Sequence, residues 1–286
     1  MSAIICYRNF IDDPDVTLSL NTGAPLAGFP LDNLRARQLA RSTRLELDDG
    51  APFPMPPSIV IDLGAQRSVD LIALIGINST KIGEGAVGVE YSANGIEWDF
   101  ATATCPSDFG APDLPRSVLV RGRPSSGGSR LTTRFLRIQP NWGTADAYRE
   151  IGRLYIADSI ELTQGCEENW TLGSRDYGVL DRSAGLQYYA DRRTRGRVLT
   201  MPMSLLDTTT AFGFGDGAVS ASNVPSLDDL INFAGTTGDV IVAPRADNPL
   251  WLRRTGVYGH LTDDSLRIEH QAGPNFACIL TVEEER

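Results

Sequence analysis

The sequence predicts a mainly β protein built from two sheet-rich modules, and three observations carry that expectation. Ile59 to Asn78 holds two short apolar runs rich in β-branched residues around Gly64, which reads as two strands buried on both faces and joined by a glycine-centred turn. The length of each run and the glycines Gly64 and Gly76 favour strands over a helix. Val87 to Trp98 alternates in polarity before Asn94-Gly95, a dipeptide that suits the left-handed backbone of a hairpin turn. The best helical spacing is confined to one short stretch, Ser226 to Ala234.

Taken in order, Arg134 to Ile138 and Ile151 to Ile156 supply two further strands. Residues 106–130 are rich in Pro, Gly and Ser around Val118-Leu-Val120, which predicts a long loop with an edge strand. Asp49 to Pro57 is a second breaker-rich loop. Past Ile156 to Leu162 the pattern changes, and Gln164 to Asn169 reads as a polar hinge. Tyr177 to Tyr189 then gives strands with turn residues between them, followed by a strand from Arg195 to Leu206 in which Pro202 implies an edge or a bulge. In the helix, Ser226 is the N-cap, Asp229 follows three residues later, Leu227, Leu230, Ile231 and Ala234 share a face, and Gly235 stops it. Strands close the chain at Asp239 to Ala243, Thr255 to His260, Asp264 to His270 and Phe276 to Glu285. The expected domains are 1–162, a β-sandwich, and 163–286, a β-rich α+β domain with one short helix at 226–234.

A chain of 286 residues, 42% apolar, is long enough for two packed cores. The formal charge of -10 argues against a nucleic-acid surface, which needs clustered positive charge. No apolar run is long enough to cross a bilayer. The first residues are too short a run for a secretory signal, so synthesis and assembly in the cytoplasm are expected. Lys81 is the sole lysine and every other basic side chain is arginine. Arginine suits surfaces buried between subunits; GC-rich coding would give the same bias. Cys6, Cys105, Cys166 and Cys278 lack CxxC spacing, which argues against zinc. A four-cysteine iron–sulfur cluster would require all four to converge. Cys6 and Cys166 bracket the first domain and stand to be neighbours, reduced or bridged.

The first half resembles the discoidin family, the galactose-binding-like jelly-roll sandwiches. The resemblance rests on Pro30-Leu-Asp-Asn-Leu34 with its following arginines, Ile61-Asp-Leu-Gly64, Leu74-Ile-Gly-Ile-Asn78, Tyr91 to Trp98, Arg134 to Ile138 and Glu150-Ile-Gly-Arg-Leu154. It implies a jelly roll over roughly residues 1–160, Trp98 packed inward, and glycan contact at loops of one end. The candidate contacts are Asn78, Lys81, Trp142 and Tyr148, in or beside loops, where a ring can stack on a sugar's apolar face. Some members hold a structural calcium; no compact set of loop acids fixes one here.

The second half resembles a C-terminal domain of tail-tip proteins of long-tailed bacteriophages, related to the tail-tube and distal-tail fold. The matching residues are Asp181-Arg-Ser-Ala-Gly185, Arg195 to Leu206, the helix before Gly238-Asp-Val-Ile-Val242, Tyr258-Gly-His-Leu261 and Leu280 to Glu284. The pairing of modules implies a structural virion protein of the tail tip or baseplate, joined in a ring, trimeric or hexameric, with copies of itself and with tail-tube and baseplate proteins. Arg192, Arg193, Arg195 and Arg197 are the expected subunit-interface residues. The alternative is a carbohydrate-binding adhesin that meets host-surface glycans.

Catalysis is not expected. The two histidines, His260 and His270, lack a nucleophile in any motif, and no Gly-x-Ser-x-Gly elbow, His-Glu-x-x-His helix or phosphate loop is present. Asp48-Asp49, Asp228-Asp229 and Asp263-Asp264 sit at turns or a helix start, where Asp is common anyway. Gly213 to Gly217 reads as a loop. No cofactor is expected.

Overall fold

The computed structural model describes residues 2–21, 23–46, 57–78, 87–101, 117–123, 130–140, 148–162, 169–176, 179–182, 188–191, 196–214, 225–263, 267–271 and 273–285. The chain forms two compact units, one of residues 8–159 and 247–254, the other of 1–7, 160–246 and 255–286. This differs from a division after residue 162. The opening strand β1 (Ala3–Cys6) pairs with residues of the second unit, Ile160 to Leu162 and Ile241 to Ala243, and is buried at every position.

The first unit is built from β2 (Thr17–Leu20), β3 (Thr43–Glu46), β4 (Ile59–Val69), β5 (Leu71–Ile75), β6 (Val87–Ser92), β7 (Asp99–Ala101), β8 (Ser117–Arg121), β9 (Leu131–Pro140), β10 (Tyr148–Ile151) and β11 (Arg153–Ala157). Among the described residues, β2-β4-β9-β6-β7 form one antiparallel sheet, β11-β5-β8 a second, and β10 pairs with β3. Ile59, Ile61 and Leu63 of β4, Val89 of β6 and Ile138 of β9 join Ile72 of β5, Val120 of β8 and Ile156 of β11 in one buried cluster. Two sheets sharing an apolar interior make the expected sandwich. Among the described residues, the run Val118-Leu-Val120 lies at the edge of its sheet and pairs with β5 alone.

Two sequence expectations need correction. β4 is not buried on both faces: Ile59, Ile61 and Leu63 face the core while Val60 and Asp62 alternate outward. Nor does Gly64 end it, because the strand continues to Val69 through a register shift between Asp62 and Arg67, with Gly64 at φ 74°. A glycine that looks like a turn is here a bulge. Conversely, Ile151 to Ile156 is two strands, since Gly152 divides β10, paired with β3, from β11, paired with β5. A Cβ on Gly152 would lie 2.9 Å from the Leu39 carbonyl oxygen.

Arginines act as internal struts in this unit. Arg153, fully buried, forms a bidentate pair with Asp12 at 2.9 and 2.7 Å and also donates to the Arg35 carbonyl. Arg121 grips the buried carboxylate of Asp70 at 2.9 and 2.8 Å, and the Ser159 hydroxyl donates to the same group. Beside them, Arg130 meets Asp158 at 2.8 Å. Burial raises the Asp158 pKa against the opposing pull of Arg130. The folded state therefore binds this proton more tightly than the unfolded chain, so its contribution to stability is full below the unfolded pKa and lost as pH rises through the raised folded value. Asp158→Asn removes that loss. Urea titrations at stepped pH should show the variant gaining on the natural chain as pH rises from about 4; a gap independent of pH would refute the assignment.

The second unit takes β1 with β12 (Ile160–Leu162), β13 (Thr171–Arg175), β14 (Val179–Arg182), β15 (Tyr188–Asp191), β16 (Gly196–Leu206), α1 (Thr208–Phe212), α2 (Leu227–Ala234) and β17 (Asp239–Ala243). After α3 (Pro249–Thr255), most of which belongs to the first unit, come β18 (Val257–Leu261), β19 (Ile268–His270) and β20 (Phe276–Glu284). Among the described residues, β12-β1-β17-β18-β20-β16-β13 run side by side with β19 on β20, and β14 pairs with β15. Leu227, Leu230 and Ala234 of α2 share a buried cluster with Ile5, Met201, Val240, Val257 and Leu280. This is a helix on an antiparallel sheet, a β-rich α+β unit.

The expected cap of α2 is present: Ser226 Oγ accepts from the Asp229 N–H, and the N–H of Gly235 returns to Ile231. α1 and α3 exceed the one helix expected. α1 is made of β-branched threonines but is fixed at its ends, where Asp207 accepts from the Thr210 N–H and Gly213 takes φ 75°. In α3, Asn248 caps Leu250 at 2.8 Å and Pro249 takes the first helical position. Pro202 lies beyond the last β13 partner of β16, Thr200, and just before a register shift between Met203 and Leu206.

Candidate functional site

Of the residues expected to meet a sugar, Asn78 and Tyr148 are described, whereas Lys81 and Trp142 lie outside the described residues. Asn78 and Tyr148 come together. The Asn78 amide donates to the Tyr148 carbonyl at 3.1 Å and its oxygen accepts from the Glu150 N–H at 2.9 Å, which ties the end of β5 to β10. Pairing of β10 with β3 sets Glu150 opposite Arg44 and Tyr148 opposite Glu46. Alternation in β3 buries Thr43 and Leu45 and leaves Arg44 half-buried on the other face.

Around Arg44 the side chains form a closed set. Its guanidinium lies 3.9 Å from the Phe29 ring centre and 4.6 Å from that of Tyr148. Nε and Nη2 both donate to Glu150 Oε1 at 3.2 Å, and the Ser42 hydroxyl donates to the same oxygen. Cation–ring contact and charge-assisted bonds hold the guanidinium in one plane. The group offers a fixed fork of donors, a carboxylate and a phenol on rigid strands, a combination that can read adjacent hydroxyls. Tyr148 gives a face to Arg44, so its part differs from the simple ring stacking expected of it. Arg44 and Glu150 are invisible as a pair in the sequence because 106 positions separate them.

Of the expected interface residues, Arg192, Arg193 and Arg195 lie outside the described side chains. Arg197 is engaged within its own unit, with Nε donating to Glu284 Oε1 at 2.9 Å and Nη2 to the Gly256 carbonyl at 2.8 Å. Cys105 and Cys166 lie outside the described residues; Cys6 and Cys278 are buried, and burial pushes the Cys278 thiol up to about 11. Among the described residues no three His, Cys, Asp or Glu side chains gather as a metal site, and no helix is long and apolar enough to cross a membrane.

Trp98 departs from the inward packing that the resemblance implies. It is half-buried, outside the core cluster, with the Arg137 guanidinium 4.5 Å from its ring centre. Its turn is nonetheless the expected one: Gly95 has φ 76°, and Asn94 Oδ1 accepts from the N–H groups of Ile96 and Glu97 at 2.9 and 3.1 Å.

No family model matches the chain, and no curated protein matches it. Among solved structures, a family 32 carbohydrate-binding module of NanJ from Clostridium perfringens, in complex with galactose, aligns at 13% identity over 55% of this chain and 100% of its own, with a TM-score of 0.37. The module CpGH89CBM32-6 from the same organism aligns at 14% identity over 53% of this chain and 99% of its own, with a TM-score of 0.35. A GH29 fucosidase from Ruminococcus gnavus, in complex with fucose, aligns at 16% identity over 53% of this chain and 27% of its own, with a TM-score of 0.38.

Proposed function

We propose that the first unit is a carbohydrate-binding module that works without catalysis, and that the Arg44 cluster is its contact site. The observation that supports this reading most is the Arg44–Glu150 pair held against Phe29 and Tyr148. A planar donor with a fixed acceptor loses little freedom on meeting hydroxyls, so weak single bonds add up. On a glycan array the intact chain should bind, and Arg44→Lys, which keeps charge but loses the fork, should bind about tenfold more weakly. Equal binding by the two proteins, or release of sugar from the bound glycan, would count against the proposal.

A second reading, that the chain is a structural part of a phage tail tip, draws on the other unit. Ile279 of β20, 56% exposed, stands opposite Pro202 on the face turned away from the buried Leu280, and an exposed apolar sheet face suits a surface that meets another. The chain would then join copies of itself in a trimeric or hexameric ring beside tail-tube and baseplate proteins, and be found in the virion. Monomeric mass at every concentration, with no label on intact particles by immunogold, would end this reading.

A further inference from the structure

We propose that the solvent face of the β2-β4-β9-β6-β7 sheet is a second carbohydrate-binding surface, one that takes an extended, uncharged glycan chain. It is separate from the Arg44 cluster and does not depend on it. Residues directly opposite one another in antiparallel strands share a face. Register therefore sets Phe100, Glu90, Arg137 and Val60 in one row across four strands. A neighbouring row holds Ser92, Phe135 and Asp62.

Rings and ion pairs interleave along these rows. Arg137 lies over Trp98 and bonds Glu90, which Gln139 also approaches at 3.4 Å. Arg134 lies 4.9 Å from the Phe135 ring centre and forms a bidentate pair with Asp62 at 2.8 and 2.9 Å. Beside them Phe100 is 51% exposed and Ile96 81% exposed. Apolar surface is thus displayed next to planar donors and acceptors that are already held in place.

Charge selects the occupant. Each arginine is closed by its own carboxylate, while Glu97 and Asp99 add exposed negative charge, so nucleic acid and acidic polysaccharides are disfavoured. The centre of a protein interface is depleted of carboxylates, though not of arginine, whereas here Glu90 and Asp62 stand among the rings. A neutral sugar chain fits both properties, with C–H faces for Phe100 and Trp98 and hydroxyls for the paired arginines, Glu90 and Gln139. Phe100, Glu90, Arg137 and Gln139 lie on strands, at a spacing of about 4.8 Å between neighbours, and Trp98 stands just before β7.

The test is affinity electrophoresis of the full chain through gels holding soluble neutral polymers, namely a β-glucan, a galactan and a mannan, with an acidic polymer for comparison. The expected result is retardation by at least one neutral polymer, with Phe100→Ser and Trp98→Ala each weakening it about tenfold and Arg44→Lys retaining the Phe100-dependent part. Phe100 is exposed, so its variant carries the test even should Trp98→Ala fail to fold. Absence of retardation by any neutral polymer, retardation by the acidic one alone, or unchanged retardation of Phe100→Ser would each overturn the proposal. Loss of Arg44 sensitivity alone would strike only the end-cluster reading.

Discussion

Gly259→Ala is expected to prevent the second unit from closing its sheet. Gly259 lies in β18 with Val240 across one flank and Glu284 across the other. An added Cβ would overlap the Glu283 carbonyl oxygen and stand 3.0 Å from the Glu284 Cα. These are backbone atoms of a paired strand, with no rotamer to swing aside. Relief requires β18 and β20 to separate, and that would open the cluster that holds Val257, Leu280 and Val282. The loss should be about 4 kcal/mol or more, beyond ordinary overpacking. Urea unfolding followed by hydrogen exchange should show protection lost in β16, β18 and β20 and kept in β4 and β9. A variant with the natural midpoint would mean that β18 and β20 are not this close.

Asp70→Ala should have the largest effect in the first unit. The carboxylate is fully buried, Arg121 is only 10% exposed, and Ser159 shares the same acceptor. Burying an ion pair gains little over an apolar replacement, but removing one member strands the other charge out of water, at a cost of about 3–5 kcal/mol. Asp70 also sits between β4 and β5, where its N–H donates to the Ala157 carbonyl at 2.9 Å and its carbonyl accepts from Gly122 at 2.7 Å. The side-chain change leaves those backbone bonds in place, so the loss reports the buried pair. The double variant Asp70→Ala with Arg121→Leu should recover much of it. A loss below about 1 kcal/mol in the single variant, the range of exposed pairs, would show that water reaches the site.

The sheet-built character of the chain was legible because period-2 alternation and turn residues act locally. Val87 to Ser92, Asn94-Gly95 and the capped helix after Ser226 each carry their signal within a few positions. Partnership was not legible. Gly64 and Gly152 look alike as breakers, yet one is a bulge inside a strand and the other divides two strands that pair with different partners. Nothing near Ala3–Cys6 tells that its partners lie beyond residue 159. The site followed the same rule. Asn78 and Tyr148 could be named because they flank loops, but Arg44, Phe29 and Glu150 acquire their roles only through pairing of distant strands. Trp98 differs from the inward packing that the resemblance implies because its ring, half-buried, lies under Arg137, a partner 39 positions away that no local signal names.

The place of β1 bears on how the molecule is made. The ribosome releases this strand before the first unit, yet its neighbour Ile241 emerges more than two hundred residues later, after most of that unit. The early module can mature while β1 waits without its ladder, and the late module becomes complete only as β20 leaves the exit tunnel. Expression of residues 163–286 alone would omit two of its strands, so the late module is best obtained by excising residues 8–159 and 247–254 and bridging each cut with a short linker.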